Sequence, residues 1–148
     1  MPQTYTRLYY HLVFATKNRE PLIEDKWRSD LQAYIGGIVR NRKGDLLAAG
    51  GMSDHMHLLV RLSADRALSE TVRDIKAISS GWRHELGDRD FAWQNGYGAF
   101  TVSVSMVEMV SEYINRQAEH HKKWSFQEEF VLLLKKHGVE MDEKFFWD

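Results

Sequence analysis

Apolar and polar positions alternate early in the chain, with Leu8, Tyr10, Leu12 and Phe14 set against Arg7, Tyr9, His11 and Val13. The stretch from Tyr5 to Thr16 is rich in aromatic and β-branched residues, and both interleaved sets carry apolar side chains, so a long strand buried on both faces is predicted. After a turn-like segment at residues 17–21 the period changes. Trp27, Leu31, Tyr34, Ile35 and Ile38 recur at helical spacing among charged residues, which predicts an amphipathic helix that ends before Gly44. Leu46 to Ala49 is short and apolar, Gly50-Gly51 breaks it, and His55 to Leu62 alternates again with Met56, Leu58, Val60 and Leu62 on one face. Two strands in a hairpin are expected there. Leu68, Val72, Ile75, Ser79 and Trp82 mark a second helix stopping near Gly87, and a glycine-broken aromatic loop then leads into a fourth strand over Phe100 to Val104.

The resulting order, βαββαβ, is that of an α+β, ferredoxin-like fold: a four-stranded antiparallel sheet with two helices on one face and the other face in need of a cover or a ligand. Two capping-box patterns follow. Ser105 with Glu108 should open a third helix running to about His121, and Ser125 with Glu128 a fourth ending at Gly138. The tail from Met141 to Asp148 carries Phe145, Phe146 and Trp147, which are expected to dock on the body or on a second subunit. With 148 residues and no repeat or linker, residues 1–148 are expected to form a single domain.

Composition narrows the chemistry. The chain has no cysteine, which removes disulfides, thiolate nucleophiles and cysteine-based zinc sites, so a metal would be held by histidine, carboxylate or amide oxygen. The formal net charge of -1 gives no global basic excess of the kind many DNA-binding domains show. No apolar run approaches the roughly 18 to 20 residues of a membrane span, and the amino terminus lacks a secretory layout, so a cytoplasmic location is expected.

Candidate chemistry lies in two places. His55 and His57 flank Met56 on a predicted strand, so their side chains project from one face about 7 Å apart at Cα and could converge on one ion. Tyr113 and Gln117 are four residues apart on a predicted helix and share a face, with His120 continuing it and His121 beside it. Each has an ordinary explanation by itself: strand-end histidines, a core aromatic near Met106, Met109 and Val110, and histidines favoured by a helix C-terminus.

In combination these strings are familiar. Asp54-His55-Met56-His57-Leu58-Leu59-Val60, Phe91-Ala92-Trp93-Gln94-Asn95-Gly96-Tyr97 and Tyr113-Ile114-xx-Gln117-xx-His120-His121 together resemble the single-tyrosine HUH transposases, the IS200-like and REP-associated tyrosine transposases. The resemblance runs from Tyr10-His11-Leu12-Val13-Phe14-Ala15-Thr16-Lys17 to Ser125-Phe126-xx-Glu128-Glu129-Phe130 and the tail, almost the whole chain. It implies that His55 and His57 hold a divalent metal with Gln117 as third ligand, and that Tyr113 is the nucleophile. It further implies nicking and rejoining of single-stranded DNA at hairpin-marked element ends through a 5′-phosphotyrosine, and a homodimer in which Tyr113 of one subunit works with the histidine pair of the other.

The mixed nitrogen and amide-oxygen set admits Mg²⁺ or Mn²⁺. A phenol with an ordinary pKa near 10 needs a base or the metal's field, and His120 is a candidate base. Lys17, Arg19, Arg61, Lys76, Arg83, Lys122 and Lys123 are candidate DNA contacts. Two other readings stay open: a non-catalytic binding module for single-stranded nucleic acid on the sheet's free face, and a metal hydrolase that uses water, against which stands the lack of a further Asp-His pair close after the motif.

Overall fold

The computed structural model describes residues 3–117 and 124–140. Its elements are β1 (Leu8–Ala15), α1 (Asp25–Asn41), β2 (Asp45–Gly51), β3 (His55–Leu62), α2 (Leu68–Glu85), β4 (Gly98–Val102), α3 (Val107–Asn115) and α4 (Phe126–Lys136). The four strands form one sheet in the order β2-β3-β1-β4, every neighbouring pair antiparallel. The expected α+β, ferredoxin-like arrangement is therefore present. β1 lies inside the sheet, paired to β3 by Leu12↔Leu58 and Val13↔His57 and to β4 by His11↔Phe100.

Burial on both faces of β1 follows from what each face meets. Leu12 and Phe14, with Met56, Leu58, Val60 and Leu62 of β3, pack against Trp27, Leu31, Ile35 and Ile38 of α1 and Val72 and Ile75 of α2. Each such side chain contributes about 1.5–3 kcal/mol by leaving water. Phe91 and Trp93 of the aromatic loop join this core, and the Trp93 indole donates to Ser79 Oγ at 3.0 Å. The loop is thus tied down, and Ser79 sits on the apolar stripe of α2 as a hydrogen-bond partner.

The opposite face is covered by the two added helices. Val13, Ala15 and Phe100 pack on Phe126 and Leu134 of α4, while Ala48 and Leu59 pack on Ile114 of α3. Gly50 is the seat of α3: a Cβ there would lie 2.0 Å from the Ile114 carbonyl oxygen. Gly50 and Gly51 therefore stay within β2, opposite His57 and Met56, and do not break the strand as expected from their sequence.

Several boundaries differ. β1 begins at Leu8, where its partner β3 ends at Leu62, and Tyr5 is exposed. β4 runs from Gly98 and ends at Val102, opposite Tyr9, with Val104 already in a 3-10 turn over Val104–Met106. That turn takes in Ser105, whose hydroxyl meets Ser103 Oγ at 3.2 Å, so the Ser105–Glu108 capping box does not form. The Ser125–Glu128 box does form and opens α4. α3 stops at Asn115, and Arg116 leaves helical geometry at φ -103° and ψ 26°, so the helix expected through His121 is broken there. His120, His121, Lys122, Lys123 and the tail from Met141 lie outside the described residues.

Candidate functional site

β3 presents His55, His57 and Leu59 to the face covered by α3 and α4, while Met56, Leu58 and Val60 go to the α1–α2 core. Both imidazoles are fully buried. Each is held by one ring nitrogen, which leaves the other directed into the site. His55 Nδ1 is 2.8 Å from Asp54 Oδ1, and its ring stacks on Phe126 with centroids 4.2 Å apart. His57 Nδ1 is 2.8 Å from Nε2 of His11, which lies on β1 diagonally across from it. Burial, then the neighbouring His57, pulls the His11 pKa down to about 3, so His11 stays neutral at ordinary pH and its Nε2 can accept a hydrogen bond from the Nδ1–H of His57. In that tautomer the lone pair of His57 is on Nε2. Hydrogen-bonding one imidazole nitrogen while the other faces inward is how metal-ligating histidines are oriented.

Three side chains converge on this pair. Gln117 Oε1 is 3.1 Å from His55 Nε2, and Glu129 Oε1 is 2.9 Å from His57 Nε2 and 3.8 Å from His55 Nε2. Gln117 Nε2 donates to Glu129 Oε2 at 3.1 Å, and the Tyr113 hydroxyl donates to the same oxygen. Tyr113, His55, His57 and Gln117 thus meet in a single cluster within the chain. The break at Arg116 does not separate Tyr113 from Gln117, since both reach Glu129.

Glu129 was not among the residues singled out from the sequence. It is 5% exposed and shares a side of α4 with Phe126, and that misplacement of a carboxylate on a buried helix stripe was the available signal. Burial of a carboxylate is offset by hydrogen bonds and by nearby positive charge. His55, His57 and Glu129 offer ligand atoms that all lie within 4.8 Å of one another. Neighbouring ligands of an octahedral ion, each at about 2.1 Å, stand roughly 3 Å apart, close to the separations observed, so the donor set fits a small divalent cation. Tyr113 is half-buried, and burial, its hydrogen bond to Glu129 and that carboxylate's charge push its pKa above the ordinary phenol value.

A cleft of about 680 Å³ runs between α3 and α4 beside the cluster and is lined by His11, Met109, Tyr113, Trp124, Glu129 and Lys136, among others. It gives the Tyr113 side chain a route to a ligand. The basic candidates are differently placed. The Lys76 ammonium donates to the carbonyl oxygens of Gln94 at 2.9 Å and Gly96 at 2.7 Å, with its pKa drawn down to about 8 by burial. Arg61 pairs with Asp45 at 2.7 Å, and Arg83 lies 3.7 Å over the Trp27 ring and pairs with Asp88. These three side chains are engaged in contacts within the chain.

Comparison with known proteins agrees with the geometry. The family model described as "Transposase IS200 like" matches residues 4–117. The chain is 27% identical over 120 residues to the transposase for insertion sequence element IS200 of Salmonella typhimurium, covering 76% of this chain and 78% of that protein. It is 23% identical over 124 residues to the ISDra2 transposase TnpA of Deinococcus radiodurans, covering 79% and 87%. Among solved structures, a REP-associated tyrosine transposase bound to a REP hairpin superposes with a TM-score of 0.61 at 19% identity, covering 84% of this chain and 74% of that one.

Proposed function

The chain belongs to the IS200-like transposase family, and on that premise we propose that it nicks and rejoins single-stranded DNA at hairpin-marked element ends, with Tyr113 as nucleophile and a divalent ion, Mg²⁺ or Mn²⁺, held by His55, His57 and Gln117. The observation that carries this reading is the convergence of the Tyr113 hydroxyl and the two inward-facing imidazoles on one buried cluster beside an open cleft. When bound, the ion offsets the negative charge that grows on the non-bridging phosphate oxygens.

The protein's own groups do the rest. Asp54 and His11 fix the orientation of the imidazoles. The Tyr113 oxygen attacks phosphorus, the bond from phosphorus to the 3′ oxygen breaks, and the upstream fragment takes up a proton and leaves with a 3′-hydroxyl while the 5′-phosphate of the downstream fragment stays on the tyrosine. Attack by another 3′-hydroxyl reverses the step and joins strands without ATP. Glu129 Oε2, already accepting from the phenol, is the nearest described acceptor for its proton, a role for which the sequence had offered His120.

We propose further that the protein acts as a homodimer that brings two sites to one DNA, with Tyr113 of one subunit working with the histidine pair of the other. The hairpin partner is supported by the structural neighbour solved with a REP hairpin. No helix among the described residues is long and apolar enough to cross a membrane, which suits work on DNA in the cytoplasm.

The test is incubation of the protein and its Tyr113→Phe variant with a labelled single-stranded hairpin substrate and Mg²⁺ or Mn²⁺, followed by a denaturing gel. A covalent adduct with the unaltered protein alone is expected. Cleavage that survives in the variant overturns the nucleophile assignment, and hairpin binding without cleavage by either protein favours a binding module.

A further inference from the structure

We propose that Glu129, supplied by α4, is a fourth protein ligand of the ion held by His55, His57 and Gln117, and that its second oxygen holds Tyr113 beside that ion. This rests on the metal-site reading above and adds to it a residue from outside the strand and the tyrosine-bearing helix.

Three observations carry it. First, the two oxygens are divided between two tasks: Oε1 lies 2.9 Å and 3.8 Å from the Nε2 atoms of His57 and His55, while Oε2 accepts from Tyr113 and from Gln117 Nε2. Oε1 thus stands at the same inward-facing nitrogens that a cation would use. Second, Glu129 is 5% exposed on a helix stripe that otherwise packs against the sheet through Phe126 and Leu134, a placement whose desolvation cost a bound cation would help to offset beside the hydrogen bonds from Tyr113 and Gln117. Third, its contribution changes the chemistry of the set. Two imidazoles and one amide are neutral, and a carboxylate supplies both the anionic charge and the second oxygen donor that hard divalent ions favour.

On this arrangement, metal affinity depends on α4 being docked, and the nucleophile is positioned through the ligand that touches the ion. Glu129 is therefore both a ligand and the positioning residue for Tyr113.

Calorimetric titration of the full chain with Mn²⁺ tests the ligand role without reference to cleavage. Replacement Glu129→Gln keeps the shape and removes the charge, and it is expected to weaken Mn²⁺ binding by roughly 10- to 100-fold, with circular dichroism confirming the fold. Unchanged affinity overturns the proposal, and tighter binding does so too, since it marks Glu129 as a group that merely fills the site. His57→Ala run in parallel separates the two readings: Mn²⁺ binding lost there but unchanged in Glu129→Gln sinks the Glu129 ligand alone, whereas binding unchanged in both sinks the metal site itself. Should Glu129→Gln fail to fold, crystals of the unaltered protein soaked in Mn²⁺ decide by anomalous scattering. An ion bonded to Glu129 Oε1 is expected; an ion on the histidines with Glu129 turned away overturns the inference.

Discussion

The two faces of the sheet are made from alternate residues of the same strands, yet they differ in almost every chemical respect. Leu12, Phe14, Met56, Leu58 and Val60 look toward α1 and α2 and pack into a largely apolar core. His11, His55 and His57, one residue out of step, look toward α3 and α4 and find Asp54, Gln117 and Glu129. The difference teaches that strand register holds the site. A slip of one residue in β3 would put both histidines into the aliphatic core and leave the site lined with leucine.

Substitutions should separate the two faces. The largest effect is expected on the histidine face: Tyr113→Phe or His57→Ala should lower single-turnover cleavage of a hairpin substrate by on the order of 10³-fold or more. For Tyr113→Phe, denaturant unfolding should change little. The opposite face should show the converse. Leu58→Ala is expected to cost about 2–5 kcal/mol by urea unfolding, while Mn²⁺ affinity per folded molecule holds; a large loss of affinity would mean that the faces are not separable.

Intermediate effects belong to contacts between the layers. Gly50→Ala drives a methyl into the Ile114 carbonyl, so α3 must shift. Overpacking of this kind costs about 1–3 kcal/mol, and here cleavage should fall along with stability because Tyr113 rides on α3. Ser125→Ala removes the cap of α4 and should cost about 1 kcal/mol, measured as a lower melting temperature with a modest loss of Mn²⁺ affinity.

A separate effect concerns pH and is absent at neutrality. His11 has its pKa lowered from 6.5 to about 3 in the folded protein, so the unfolded chain takes up this proton first. Stability is therefore unaffected by His11 above pH 6.5 and is lost as pH falls from there toward 3, with a slope of up to about 1.4 kcal/mol per pH unit. In metal-free protein, His11→Gln should flatten that part of the unfolding curve, and an unchanged slope would refute the assignment.

Much of this was legible in the chain. The period-2 and period-3.6 patterns located all four strands and the first two helices, and the His55–His57 and Tyr113–Gln117 pairs, each set by spacing and joined only through the family resemblance, lie in one cluster. What was missed depends on distant pairing. His11 becomes a partner of His57 only through the β1–β3 register, and Glu129 enters the site only because α4 lies across Val13, Ala15 and Phe100. The failed Ser105 cap has a local cause, since β4 ends early and the chain tightens into a 3-10 turn first. No residue type at Arg116 marks the end of α3, and the structure offers no physical account of that break.

α4 lies on the sheet through one apolar side and starts from a single capping box, whereas β3 is hydrogen-bonded on both edges, to β1 and to β2. The two should belong to different cooperative units. Amides of α4 are expected to exchange with deuterium through a local opening that leaves the sheet intact, and those of β3 only when the whole domain unfolds. Such an opening would carry Glu129 away from Tyr113 and leave the histidine pair in place, so the protein could uncover its nucleophile without dismantling the strands that orient the imidazoles.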